Sequence, residues 1–227
     1  MIKYIYLLTA GLLVFCTGRA QIKKGQALLG CSIQFSNHNS TYPTPDYSKG
    51  NTTIVAPSVG WAIKDNLEFG GRLLYSHSKE DQYINFQGTT PPYIYRNYYE
   101  SNNYGLAVYI RRYTDLGHGF AFYAEGGLTG MGGRRKLEND TVPGLYIDQK
   151  MWSVTASFTG GMVYRVASRW MLEAGFASLV SAGYTYFSDK GEDANSNVNP
   201  SKSNTIAMGT TLSRPLSSFT VGCRYIL

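Results

Sequence analysis

The sequence predicts an all-β protein: an eight-stranded antiparallel transmembrane β-barrel with long outer loops and short periplasmic turns. Strict two-residue alternation, connections that are alternately long and short, and an N-terminal export signal carry this prediction. Between Trp152 and Tyr164 every second residue is apolar or glycine, and the residues between are mostly small or polar. Strands of soluble sheets usually span about five or six residues, whereas a barrel in a bilayer needs longer strands with one face toward hydrocarbon.

The first 20 residues predict a secretory signal peptide. A basic start precedes an apolar run from Tyr4 to Cys16, and small residues lead to Ala20, which is the order that such signals follow. The run is shorter than the roughly 20 apolar residues of a membrane helix. We therefore expect cleavage after Ala20 and one barrel domain over 21–227. A lipoprotein anchor at Cys16 is the alternative, but bulky Phe15 stands where that signal has a small residue.

The composition fits the same class and disfavours others. The chain has 19 tyrosines, 25 glycines and 16% charged residues; aromatic rings collect at bilayer interfaces, and glycine lets strands bend. Loss of Lys3 and Arg19 with the signal peptide lowers the formal net charge from +6 to +4. Because the charge clusters only at Arg134-Arg135-Lys136, nucleic-acid binding has little support. Three cysteines, one of them in the signal, do not make a disulfide scaffold.

Eight apolar stripes place the strands. Pro43 and Pro45 lie in the polar loop after the first stripe, and Lys64-Asp65-Asn66 supplies turn residues after the second. A polar, tyrosine-rich stretch, 77–103, follows the third stripe. The stripes lie at residues 26–37, 52–63, 67–76, 104–111, 120–128, 152–165, 170–176 and 219–227.

The remaining connections continue a long–short alternation. Residues 114–119 and 166–169 are short turns, whereas 130–149 and 188–202 are long polar loops. Long connections therefore follow the odd-numbered strands and short ones the even-numbered strands. Outer-membrane barrels show this asymmetry, with long outer loops and short periplasmic turns.

The last strand contains one irregularity. Apolar residues between Thr205 and Leu212 fall on even numbers, whereas after Ser217 they fall on odd numbers, and Arg214-Pro215 sits at the switch. We interpret this as a bulge in one long final strand, because an extra residue reverses the faces that follow. An extra hairpin turn, which would make nine strands, is the alternative.

Inward-facing charges form the first candidate site. An eight-stranded barrel is only wide enough for side chains to fill it, and buried charges need partners. We therefore expect a network of arginine–glutamate pairs that locks the barrel, with a narrow ion path as the alternative. The strand alternation places these charged residues in the lumen: Glu68, Arg72, Arg111, Glu125, Arg165, Glu173 and Arg224.

Aromatic residues form two further groups. Those at strand ends predict girdles at the two membrane interfaces. The lower girdle, beside the periplasmic turns, comprises Trp61, Tyr164, Trp170 and Tyr225. The upper girdle, beside the outer loops, comprises Phe35, Tyr75, Tyr104, Trp152 and Tyr184. A dense group around Pro91-Pro92 predicts either a contact surface or packing on the barrel rim. This candidate outer-loop surface comprises Tyr83, Phe86, Tyr93, Tyr95, Tyr98 and Tyr99.

Histidines and cysteines give weak chemical signals. His38, His77 and His118 fall in predicted loops or turns, away from any pair of acids that would complete a catalytic centre. No histidine or cysteine cluster has metal-ligand spacing. Cys31 and Cys223 face outward on the first and last strands, where they are either small lipid-facing residues or a pair close enough for a disulfide.

The chain resembles the small outer-membrane β-barrel proteins of Bacteroidetes, the porin-family or PorT-like barrels with an OmpX- or OmpA-like architecture. The resemblance rests on the signal ending Ala20-Gln21, the hairpin 164–173 and the C-terminal stretch 219–227. It implies a barrel without catalytic residues. The chain departs from that family at Leu227, where an aromatic residue is usual, and Tyr225 is the nearest ring.

We therefore expect an integral protein of the cell outer membrane, without enzymatic activity or cofactors, that serves envelope structure or surface interactions. A narrow ion or small-solute channel and an outer-membrane hydrolase are the alternatives. The expected partners are outer-membrane lipids, the barrel-assembly machinery during biogenesis and an unknown extracellular partner. We expect a monomer.

Overall fold

The structure is a computed structural model, and it describes residues 22–41, 47–86, 93–139, 146–191, 202–210 and 218–227. The predicted signal peptide, residues 1–20, lies outside the described residues. Nine strand segments cover most of the described chain: β1 Ala27–Thr41, β2 Tyr47–Lys64, β3 Leu67–Phe86, β4 Tyr93–Gly117, β5 Phe120–Asn139, β6 Tyr146–Arg165, β7 Trp170–Gly191, β8 Lys202–Thr210 and β9 Ser218–Ile226. Among the described residues, no helix is long and apolar enough to cross a membrane.

Antiparallel pairing closes these segments into a ring of eight strand positions. Each strand from β1 to β7 pairs with the next along the chain. β9 pairs with β7 on one side and with β1 on the other, from Leu28 opposite Ile226 to Ser36 opposite Ser218. The predicted fold class, an eight-stranded antiparallel barrel, is confirmed.

The eighth position is shared by β8 and β9. Both run antiparallel to β7, so they run in the same direction and do not form a hairpin. β7 advances by four residues from Phe176 to Val180. The residues paired with these two are Phe219 of β9 and Thr210 of β8, which are nine residues apart. The five-residue excess is odd and therefore reverses the faces. The interruption is larger than the predicted single bulge, and the predicted alternative of a ninth strand in a hairpin is wrong.

The strands extend beyond the predicted stripes. The predicted loop 77–103 is mostly strand, because β3 and β4 stay paired up to Phe86 opposite Tyr93. The predicted loop 130–149 likewise continues β5 and β6. From Tyr104 to Tyr93 the strand advances by about 36 Å at the usual rise per residue. Alternation failed as a signal here because both faces of these extensions carry polar residues.

The barrel wall has an apolar outer face and a mostly polar inner face. On β4, the outward Leu106 and Val108 are 66% and 51% exposed, whereas the inward Ala107 and Tyr109, which alternate with them, are buried. The lower end of the barrel holds Leu227 and the short turns. One of these turns is Gly117–Gly119, whose three residues have positive φ angles of 85°, 53° and 84°, a conformation that glycine adopts without strain.

Candidate functional site in the barrel lumen

Five buried charges and the partly buried Arg72 form a continuous chain of ion pairs across the lumen. Arg72 pairs with Glu125, which also accepts a hydrogen bond from Arg111 Nε at 2.7 Å. Arg111 Nη1 lies 2.5 Å from Glu173, which accepts a second bond from Arg224 Nε at 2.9 Å. The chain ends where Arg224 Nη1 donates to Glu68 at 2.5 Å. Cations and anions alternate, so three of each leave the chain electrically neutral.

Tyrosines join the two ends of this chain. The guanidinium of Arg72 lies 4.2 Å from the ring centroid of Tyr109, whose hydroxyl donates to Glu68 at 2.5 Å. The hydroxyl of Tyr113 donates to the other oxygen of Glu68 at 2.6 Å. These contacts give the terminal carboxylate three donors, so each of its oxygens is paired. Burial of a charge in a low-dielectric interior requires this kind of compensation.

The strand register and inward glycines position the network. On neighbouring strands, Arg111 lies directly opposite both Glu68 and Glu125. A Cβ atom on Gly60 would collide with the carboxylate of Glu68, and one on Gly175 would collide with the hydroxyl of Tyr123. Glycine at these inward positions therefore provides the space in which the long charged side chains meet.

The side chains of the network pack closely together in the lumen. Five of its six charged side chains are at most 4% exposed, and Arg72 is the most exposed member at 17%. The rings of Tyr109, Tyr113 and Tyr123 are also buried, and the guanidinium of Arg111 lies 4.1 Å from the Tyr123 ring centroid. This packing leaves almost no water-accessible surface on five of the six charged groups.

A second barrier lies below the charges, and sequence reasoning missed it. Ile22 is fully buried, and its backbone N–H and carbonyl bond to Asn66 at 3.4 and 3.1 Å. The N–H of Lys24 donates to Asp65 at 2.8 Å, which ties the N-terminal segment to the β2–β3 turn. The side chain of Ile22 belongs to an apolar cluster with Leu28, Ala62, Tyr113, Tyr123, Val163, Met171 and Ile226. The sequence signal that could have predicted this apolar cluster was the presence of apolar residues at inward positions of β1, β6, β7 and β9.

Arg165 is the member of the predicted network that stands apart. It ends β6 near the lower turn, and its Nε atom is buried without a hydrogen-bond partner among the described residues. The other predicted charges are joined as described above: Glu68, Arg72, Arg111, Glu125, Glu173 and Arg224.

A separate polar cluster lines the upper lumen. Glu80 accepts hydrogen bonds from Ser48 at 2.8 Å and from Arg135 at 3.2 Å. The guanidinium of Arg135 lies 3.8 Å from the ring centroid of Tyr99. The sequence reasoning missed this cluster because Glu80 and Arg135 fell in predicted loops. Both side chains are about a quarter to a third exposed, so water reaches this part of the interior.

The side chains of three of the six predicted outer aromatic residues, Tyr83, Tyr98 and Tyr99, are described, and Tyr83 and Tyr99 contact different neighbours. Tyr83 stacks on Tyr47 with ring centroids 4.3 Å apart, whereas Tyr99 contacts the inward Arg135. Tyr98 is half-buried on β4. Phe86, Tyr93 and Tyr95 lie at paired strand positions, and their side chains are outside the described part of the structure.

The girdle aromatics pair across strands at both ends of the apolar band. Upper pairs are Phe35 with Phe219, Tyr75 with Tyr104 and Trp152 with Tyr184, and lower pairs are Phe120 with Tyr164 and Trp170 with Tyr225. Aromatic residues take such positions at the two membrane–water interfaces.

The histidines and cysteines considered from the sequence have defined positions in the barrel. His77 Nδ1 lies 3.0 Å from Asn102, and Nε2 lies 3.8 Å from Glu100. Its sequence neighbour Ser78 bonds to Thr52, on the opposite face of the strand, so the two cannot act as a pair. His118 occupies the lower turn. The free thiols Cys31 and Cys223 lie directly opposite each other in the β1–β9 ladder.

Comparison with solved structures agrees with this architecture. No protein-family model matches the chain, and no curated protein does. The outer membrane protein OprG from Pseudomonas aeruginosa superposes with a TM-score of 0.54 at 11% identity, over 92% of this chain and 99% of that one. Neisserial surface protein A gives 0.44 at 15% identity, over 89% and 97%. Ail of Yersinia pestis gives 0.38 at 10% identity, over 90% and 99%.

OprG is an outer membrane protein, and the likeness to it establishes the shared fold. The closed ring of strands, the apolar outer band with aromatic pairs at both edges and the ionic lumen agree with it. By fold, the chain is an outer-membrane β-barrel.

Proposed function

We propose that this protein is a non-enzymatic component of the outer membrane whose closed barrel anchors an extracellular rim. The observation that carries the proposal is the double barrier in the lumen: the six-charge chain and, below it, Ile22 with its apolar cluster. A lumen filled with paired charges and packed hydrocarbon has no route for solutes. The barrel would therefore act through its lipid-facing wall and through the strand extensions above the upper girdle.

The extensions support the interaction role. β3 and β4 stay paired well beyond the upper girdle, and Tyr83 stacks there on Tyr47 while Arg96 lies 5.2 Å from the Tyr83 ring centroid. An extended sheet with aromatic and charged groups provides a stiff surface for an extracellular partner. Folding and insertion by the barrel-assembly machinery, and a monomeric state, belong to the same proposal.

A relationship to the small barrels of Bacteroidetes is also part of the proposal, and it rests on the C-terminal stretch 219–227 and the hairpin 164–173.

Removal of the signal peptide is part of the same proposal. Cleavage after Ala20 would leave Gln21 alone ahead of Ile22, the residue that fills the lower mouth. N-terminal sequencing of protein taken from membranes tests this, and an uncleaved N-terminus would contradict it.

Conductance across planar bilayers tests the closed lumen directly. We expect the purified protein to give a flat current trace, because both barriers lie in series. A double variant, Ile22→Ala with Arg111→Gln, serves as a positive comparison because it loosens both barriers. Discrete conductance steps from the unmodified protein would overturn the proposal in favour of a channel.

A further inference from the structure

Two cysteines face each other across the seam that closes the barrel. Cys31 of β1 lies directly opposite Cys223 of β9, and both are free thiols. The third cysteine of the chain, Cys16, belongs to the predicted signal peptide. Removal of that segment, as proposed above, leaves the exported chain with two thiols and therefore with one possible intramolecular disulfide.

The ladder geometry at this pair suits a disulfide. Four residues further down both strands, the N–H of Leu227 donates to the carbonyl of Ala27 at 2.9 Å. Hydrogen-bonded and non-hydrogen-bonded pairs alternate along an antiparallel ladder, and the β1–β9 register has no break. Cys31 and Cys223 are therefore a hydrogen-bonded pair with Cα atoms about 5.5 Å apart. The commonest separation in disulfides is about 5.5–6 Å.

Both thiols lie on the outer wall near its lower edge. An open groove of about 370 Å³ is lined by the two cysteines together with Leu29, Trp170 and Tyr225. Trp170 and Tyr225 form a pair of the lower girdle, and Tyr225 is two residues below Cys223 on β9. Two residues of strand rise about 7 Å, or about 5 Å along the barrel axis at a usual tilt near 40°. The thiols are therefore close to the periplasmic side, the compartment in which disulfides form.

The seam is the strand pairing that gains most from a covalent link. β1 and β9 are the first and last strands, so no hairpin turn joins them. Their ladder runs from Leu28 to Ser36, whereas the ladder between β1 and β2 runs from Ala27 to Thr41. A cross-link between residues far apart in the chain restricts the unfolded state more than one that closes a short loop. A bond here holds both ends of the chain together when other pairings open.

We infer that Cys31 and Cys223 form a disulfide that closes the barrel covalently. The oxidant is a protein of the periplasm that itself carries an exchangeable disulfide. One cysteine thiolate attacks a sulfur of that disulfide and forms a mixed disulfide, and the second cysteine thiolate then attacks the barrel's sulfur in the mixed bond. The barrel gains one S–S bond, and the oxidant accepts two electrons and leaves with two thiols.

Alkylation at harvest tests for the disulfide in the protein as cells make it. Outer membranes are dissolved in hot SDS with N-ethylmaleimide, digested without reductant and analysed by mass spectrometry. We expect the peptides that contain Cys31 and Cys223 to be joined and to carry no label. Labelled, unjoined peptides from both cysteines would overturn the inference. Failure of the proposed signal cleavage is recognised separately, by a peptide that contains Cys16.

A register control distinguishes a bond set by the folded ladder from random pairing in the unfolded chain. Leu29→Cys with Cys31→Ala moves the thiol one row down, diagonal to Cys223. Diagonal Cα atoms are about 7–8 Å apart, beyond the disulfide range of about 4.4–6.8 Å, so both cysteines should be labelled. Ile33→Cys with Val221→Cys, in a Cys31→Ala, Cys223→Ala background, creates another directly opposite pair and should be joined. Equal joining in the diagonal variant would overturn the role of the ladder.

Stability of one sequence in two redox states tests what the bond does. In urea, reduction with dithiothreitol should raise the unfolding equilibrium constant about 30-fold or more, a typical effect of losing a disulfide. The matched control, Cys31→Ala with Cys223→Ala, should unfold identically with and without the reductant. An oxidised barrel that is no more stable than the reduced one would overturn the inference that the bond secures the seam.

Discussion

Replacing Glu173 with Gln should destabilise the barrel by about 4 kcal/mol. Glu173 is 4% exposed and accepts hydrogen bonds from Arg111 and Arg224, and each charge-assisted bond contributes roughly 1.5–3 kcal/mol. The variant leaves three guanidinium groups facing two carboxylates, and removing one partner of a buried ion pair typically costs about 3–5 kcal/mol. Urea unfolding of the protein in lipid vesicles, followed by tryptophan fluorescence, measures the difference.

Adding Arg111→Gln to Glu173→Gln should recover about 2 kcal/mol of this loss, because contacting residues couple by such amounts. The double variant leaves two complete pairs, Arg72 with Glu125 and Arg224 with Glu68, and a neutral chain. Glu80→Gln is the control, since its partly exposed ion pair should contribute at most about 1 kcal/mol. If Glu173→Gln costs no more than this control, or if the double variant is the least stable, the reasoning is refuted.

Three further predictions concern other parts of the barrel. Ile22→Ala should lower the free energy of unfolding by about 3 kcal/mol in the same assay, because its side chain is fully buried. A change below about 0.5 kcal/mol, typical of surface sites, would contradict the burial of Ile22 in the apolar cluster. Gly60→Ala should lower the free energy of unfolding by about 1–3 kcal/mol because of overpacking. The Cβ atom of Gly126→Ala would meet nothing within 4 Å, so this variant should be nearly neutral. Equal effects of the two substitutions would contradict the packing of the lumen around Gly60. Copper phenanthroline should join Cys31 to Cys223 in the folded barrel, because antiparallel partners have Cα atoms about 4.5–5.5 Å apart; absence of the disulfide by mass spectrometry would contradict the β1–β9 register.

The alternation of residues was sufficient to predict the barrel, because lipid and lumen impose opposite demands on successive side chains. The same rule placed Arg111 and Glu173 in the interior. It could not say which charges meet, because the partners come from distant strands: Arg224 and Glu68 are 156 residues apart. That pairing depends on closure of the ring, which no local pattern records.

Three features of the structure were beyond the sequence pattern for other physical reasons. The strand extensions carry polar residues on both faces, so they lack the alternation that marks a strand in lipid. The five-residue excess between β8 and β9 was visible only as a reversal of parity. Ile22 is the second residue after the predicted signal peptide, and only the folded barrel shows that it enters the lower mouth.

Paramagnetic relaxation by a lipid-soluble spin label tests the central claim, an apolar wall facing lipid around an ionic interior. The measurement compares side-chain NMR signals of the barrel in nanodiscs with and without a doxyl-labelled fatty acid. We predict strong broadening of Leu106, Val108 and Phe158, which are exposed on the outer face, and little broadening of the buried Val163 and Met171. Broadening of Val163 and Met171 with protection of Leu106 and Val108 would contradict the account.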